Sequence, residues 1–118
     1  MEYLLLIYHS EIEWTQRSAD DQEDIYQEYR QLIHELRKNG QLIRGDQLKP
    51  SASSVTVRLR EGNAATTDGP FAETKEQLGG YFLLRVNTRD EAVRIARRIP
   101  SARTGSIEVR EIIPTPTD

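Results

Sequence analysis

A chain of 118 residues, 36% hydrophobic and 30% charged, can build one core, thin and under a well-solvated surface, but not two. Its formal net charge of −3 argues against nucleic-acid binding, which needs a net-basic face. The absence of cysteine excludes disulfides, thiol catalysis and thiolate metal sites, and fits a reducing cytoplasm. The apolar opening from Met1 to Tyr8 is too short for a signal-peptide core or a membrane span, so a cytoplasmic protein without membrane contact is expected.

Tyr3-Leu4-Leu5-Leu6-Ile7-Tyr8 reads as a central strand, and a polar stretch from His9 to Asp21 follows, with Trp14 its largest apolar residue. Ser18 and Asp21 have capping-box spacing. Ile25, Tyr29, Leu32, Ile33 and Leu36 then form one apolar stripe, and Arg37, Lys38 and Gly40 suit a helix end. This predicts a helix over about residues 19 to 39.

Leu42 and Ile43 begin a second strand that runs irregularly to Leu48, and Pro50 with its neighbouring serines makes a loop. Val55, Val57 and Leu59 alternate with Thr56, Arg58 and Arg60, the pattern of a strand with one wet face. A turn at Glu61-Gly62-Asn63 returns it through residues 64 to 67 as a short edge strand. A strand from Tyr81 to Val86 follows, then a helix that Thr88 and Glu91 start and Pro100 ends, with Ala92, Val93, Ala96 and Ile99 inward. Arg94, Arg97, Arg98 and Arg103, the one basic cluster, read as a solvated face. The last strand spans residues 106 to 113, so one domain covers 1 to 113, and the Pro-Thr tail 114 to 118 is expected to be disordered.

Two strand–helix–strand units around a hairpin insertion predict an α+β, ferredoxin-like sandwich. Helices on one face leave the other face of the sheet bare, which a second copy packed sheet to sheet would cover, so a symmetric homodimer is expected.

Residues 67 to 82, TDGPFAETKEQLGGYF, combine a rigid turn, three carboxylates, a lysine and a double glycine just before a strand. This stretch resembles the signature of the DGPF-domain, or YCII-related, family of small bacterial proteins. The resemblance extends to the opening strand, to Gly45-Asp46-Gln47-Leu48, where the family more often has glutamate at the acidic position, and to the closing segment 99 to 110. It implies a dimeric α+β barrel with an acidic or histidine-containing cleft. It also implies a second kind of role, since relatives are often encoded beside, or fused to, extracytoplasmic-function sigma factors.

Asp68 can act as a general base from its turn, or use its carboxylate to organise that turn. His9, at the end of the first strand, suits proton transfer near neutral pH, though a surface histidine at a strand end is the reading the residues favour; His34 lies off the apolar stripe and reads as solvent-facing. Lys75 can neutralise an anionic ligand group and Glu73 can pair with it or share proton work; the alternative is a surface ion-pair ladder. Asp46 and Arg103 come from distant matching segments. Arg103 can meet a carboxylate or phosphate near His9 or Asp68, or form a structural ion pair with an acidic loop residue.

No second histidine stands at ligand spacing from His9, Gly79-Gly80 precedes a strand instead of cradling phosphate, and no serine triad assembles, so neither metal nor cofactor is expected. The resulting expectation is a cleft beside the signature loop that binds a small polar or anionic metabolite. Asp68 and His9 would supply base and acid for cofactor-free isomerase- or lyase-type chemistry. The alternatives are a non-catalytic regulatory module with a sigma-factor partner and a ligand-binding dimer without turnover.

Overall fold

The computed structural model describes residues 1–116. In chain order it contains β1 (Glu2–His9), α1 (Glu11–Gln16), α2 (Ala19–Lys38), β2 (Leu42–Gln47), β3 (Val55–Arg60), β4 (Asn63–Asp68), β5 (Gln77–Arg85), α3 (Arg89–Arg98) and β6 (Ser106–Glu111). It is an α+β structure with antiparallel sheets. A four-stranded sheet has the order β2-β5-β1-β6, and β3 and β4 form a separate two-stranded sheet.

Local chemistry sets the helix ends. Ser18 Oγ accepts the Asp21 amide at the start of α2, and Thr88 Oγ1 accepts the Glu91 amide at the start of α3. Gly40 takes φ +71° just past α2, a conformation that a Cβ would strain. The polar stretch after β1 contains α1, which Ser10 caps through the Glu13 amide. A helix of 6 residues carries too short a repeat to announce itself by periodicity.

Tyr3, Leu5 and Ile7 of β1 and Phe82 and Leu84 of β5 point to one face, where they meet Leu32 and Leu36 of α2 and Ala92, Ile95 and Ala96 of α3. Leu4, Leu6, Tyr8, Tyr81 and Leu83 take the opposite face, which no helix among the described residues covers, and are only half-buried. Among the described residues no helix is long and apolar enough to cross a membrane.

The hairpin forms as its turn chemistry dictates. Glu61 and Gly62 both take positive φ, 54° and 79°, the two left-handed residues of a type I′ turn. Its apolar side does not reach the core, however. Val55, Val57 and Leu59 are 59%, 63% and 66% exposed, so the strand expected to have one wet face has two. Alternation reports which side chains share a face, but not whether anything packs against it. The radius of gyration is 16.4 Å, against roughly 13.5 Å for a compact chain of this length.

Two strand boundaries also differ from expectation. β5 begins at Gln77, so Gly79 and Gly80 lie inside it, and β6 ends at Glu111. Pro114, Thr115 and Pro116 carry no regular structure, and Thr117 and Asp118, the rest of the expected disordered tail, lie outside the described residues.

Candidate functional site

β1 ends at His9, on the helix-covered side of the sheet, and α1 starts two residues later. The short α1 places Trp14 beside the imidazole, with ring centroids 6.4 Å apart and nearly perpendicular. Trp14 in turn meets Tyr26 of α2 edge-on at 5.4 Å, and Tyr29, one turn further, meets Phe82 at 6.3 Å. These aromatic pairs set the wall of a space between α2 and the sheet.

That space is two adjoining cavities. The inner one, of about 230 Å³, is chiefly apolar, with Ile7, Ile25, Ile33 and Phe82 in its wall beside Tyr26 and Tyr29. The outer one, of about 300 Å³, is charged, with Glu13, Arg17, Asp21, Asp24, Glu28 and Arg103 around it. His9, Trp14, Ile25 and Ser101 line both. The Ser101 hydroxyl lies 2.7 Å from that of Tyr29. Burial pushes the Tyr29 phenol up from its usual range, against the opposing effect of that hydrogen bond, so Tyr29 is a neutral phenol at ordinary pH.

His9 is half-buried, and among the described residues neither ring nitrogen has a protein hydrogen-bond partner. A ring held in a cavity wall with its nitrogens uncommitted can donate to a ligand, accept from it, or pass a proton.

The fold separates the other candidates from this histidine. Asp46 pairs with Tyr81 across β2 and β5, on the face opposite Gly45 and Phe82, so its carboxylate points to the bare side of the sheet. There it accepts from the Tyr81 hydroxyl at 2.6 Å and from Arg44 Nε at 2.8 Å. These two bonds, Tyr81 first, hold the Asp46 carboxyl below its usual range, and the same bond raises the Tyr81 phenol. Asp46 also belongs to the inner cavity wall, and its carbonyl oxygen is the atom that a Cβ on Gly80 would meet.

Asp68 ends β4 opposite Val55 and is exposed. It lines neither cavity, and no side-chain hydrogen bond to it is formed among the described residues. The turn is instead tied down by the Gly69 amide to the Ser54 carbonyl at 2.7 Å and by Thr56 Oγ1 to the Gly69 carbonyl at 2.9 Å. Glu73 and Lys75 are also exposed and away from both cavities. Arg103 does share the outer cavity with His9, but its guanidinium pairs with Glu28 at 2.6 Å. The partner is a helix residue of α2, not an acidic loop residue. His34 is exposed.

The residue pattern does not mark Trp14, Tyr26, Tyr29 or Ser101 as site residues. Trp14, a lone tryptophan in a polar stretch, is the one signal it offers. Tyr26 carries none, because only packing distinguishes a cavity wall from an ordinary amphipathic stripe. Among the described residues no group of three or more histidine, aspartate and glutamate side chains is placed to hold a metal ion.

Comparison with known proteins agrees in extent with the fold. The model of the YCII-related domain matches residues 1–116. An uncharacterized protein of Rhizobium meliloti (strain 1021) is 34% identical over 114 residues, covering 95% of this chain and 92% of that protein. A match of this length spans every element from β1 to β6, and the chain belongs to the YCII-related family.

Proposed function

We propose that this protein binds a small metabolite where the two cavities meet and that His9 exchanges a proton with it, without a cofactor, in isomerase- or lyase-type chemistry. The observation that carries the reading is the His9 ring, half-buried in the shared wall with both nitrogens free of protein partners among the described residues. The apolar inner cavity suits the body of a ligand, and the charged outer cavity suits its polar end. On this reading the site lies on the helix side of the sheet and not beside the signature turn.

The test is a thermal-shift screen of the wild type, His9→Ala and Asp68→Asn against a metabolite panel. A ligand at 100 times its Kd stabilises a protein by about 2.7 kcal/mol. The shift is expected to collapse in His9→Ala. A shift kept by His9→Ala and lost in Asp68→Asn would move the site to the signature turn and sink the reading.

The strand order β2-β5-β1-β6, with α2 and α3 on one face, also supports a ferredoxin-like topology and a homodimer that buries the bare face. Leu4, Leu6 and Leu83 form the apolar centre of that face, between the Arg44–Asp46 and Arg110–Glu108 pairs of its two edge strands. Light scattering is expected to give twice the 13.6 kDa chain mass for the wild type, and one chain mass for Leu6→Glu, which puts a charge at the centre of the patch. A wild type that stays monomeric at high concentration would remove the dimer.

A further inference from the structure

Gly79 lies in an irregularity of β5. Ile7 pairs with Gly80 and Tyr8 with Leu78, so Gly79 has no partner on β1 and forms a bulge beside His9. The two adjacent glycines serve different neighbours. A Cβ on Gly80 would come within 2.8 Å of the Asp46 carbonyl oxygen, so Gly80 permits the close pairing of β2 and β5. A Cβ on Gly79 would instead overlap the imidazole of His9 at Nε2 and Cδ2; the three nearest atoms it would meet all belong to that ring. The Gly79 carbonyl is fixed from the other side, accepting the Leu48 amide at 2.8 Å. Its φ is not in the left-handed range, so the backbone itself would accept alanine.

We propose that Gly79 is a positioning residue: its missing side chain, offered by the bulge, is the berth that holds the His9 ring at the junction of the two cavities. Bulges beside functional sites commonly re-aim a side chain, and here the re-aimed group is on the neighbouring strand. The signature stretch then serves the site through Gly79, while Asp68, at its other end, stays remote from it. The inference rests on reading His9 as the group that meets the ligand, but its test does not require one.

Trp14 is the only tryptophan, and its ring stands 6.4 Å from that of His9, so its fluorescence intensity reports whether the imidazole is in place beside it. His9→Ala is expected to change the wild-type fluorescence intensity. Gly79→Ala is expected to fold and to show the same change, because the displaced ring no longer faces the indole. The melting temperature supplies a second reading. The alanine should lower it in the His9 background and leave it unaltered in Gly79→Ala/His9→Ala compared with His9→Ala, where the colliding ring is gone. Should Gly79→Ala fail to fold, a folded double variant gives the same answer. A wild-type fluorescence intensity in Gly79→Ala overturns the proposal, as does an equal melting penalty in both backgrounds. Failure of the functional reading would appear elsewhere, as ligand shifts that His9→Ala leaves intact.

Discussion

Gly105→Ala is expected to be the most damaging glycine substitution in this protein, costing about 3 kcal/mol and lowering the melting temperature by roughly 10 °C. A Cβ at Gly105 would overlap the carbonyl oxygen of Tyr8 and lie 3.2 Å from the Cα of His9. Both are backbone atoms of β1, a central strand held on one side by β5 and on the other by β6, so they cannot swing aside as a side chain would. The Gly105 amide also donates to the Ser101 carbonyl at 2.7 Å, which ties the approach of β6 to the turn that carries Ser101 and Arg103. Relief of the overlap must therefore shift either the end of β1, and His9 with it, or the rim of the outer cavity. Thermal unfolding of the wild type and variant measures the effect, with Gly79→Ala as the comparison in which only a side chain has to move. A penalty at Gly105 no larger than at Gly79 would show that this close approach is not built into the fold.

Leu36→Ala should cost about 2–5 kcal/mol, the range for truncating a leucine in a core that cannot collapse onto the gap. Leu36 is fully buried on α2, in the cluster that joins this helix to Tyr3, Leu5, Phe82 and Leu84 of the sheet and to α3. In a chain with a thin core, that is a large part of the roughly 5–15 kcal/mol that ordinarily separates folded from unfolded. Urea titration should show a lower midpoint at an unaltered slope. The same truncation at Ile12, 70% exposed on α1, should change stability by less than about 0.5 kcal/mol. Equal losses at the two positions would contradict the assignment of α2 as the helix that closes the core. Leu36 lies outside both cavity walls, so its effect on stability can be separated from effects on the His9 site.

Much of the framework is legible in the order of the residues. Ser18 and Thr88 announce the helix starts because a cap is a local interaction between one hydroxyl and an amide three residues on. Gly40 and Gly62 announce turns because tolerance of positive φ is a property of the residue itself. The α2 apolar pattern is long enough to declare its period, and the continuous apolar run of β1 declares a central strand. In α3 the pattern points to Ala92, Val93, Ala96 and Ile99; Val93 is only half-buried, and Ile95, which the pattern does not mark, is buried with the other three.

The site is legible only as a collection of residue types. His9 stands out by its place at a strand end, and it does lie in a cavity wall. Family resemblance and proximity to the signature group Asp46, Asp68, Glu73, Lys75 and Arg103 with it, and the fold distributes them. Asp46 and His9 fall on opposite faces of one sheet, because strand alternation and pairing register together decide a side chain's direction. Arg103 reaches the cavity but is committed to Glu28, a pairing across 75 positions of sequence that no local pattern records.

The sequence alone thus determined where the two longer helices start and stop, where the hairpin turns and which residues of each long element share a side, since these depend on interactions spanning a few residues. Tertiary structure alone decided which side faces what. It brought Trp14, Tyr26 and Tyr29 around His9, left the apolar side of the hairpin bare, and set a bulge at Gly79 against the imidazole. These outcomes depend on long-range packing and strand register, and neighbouring residues do not encode them.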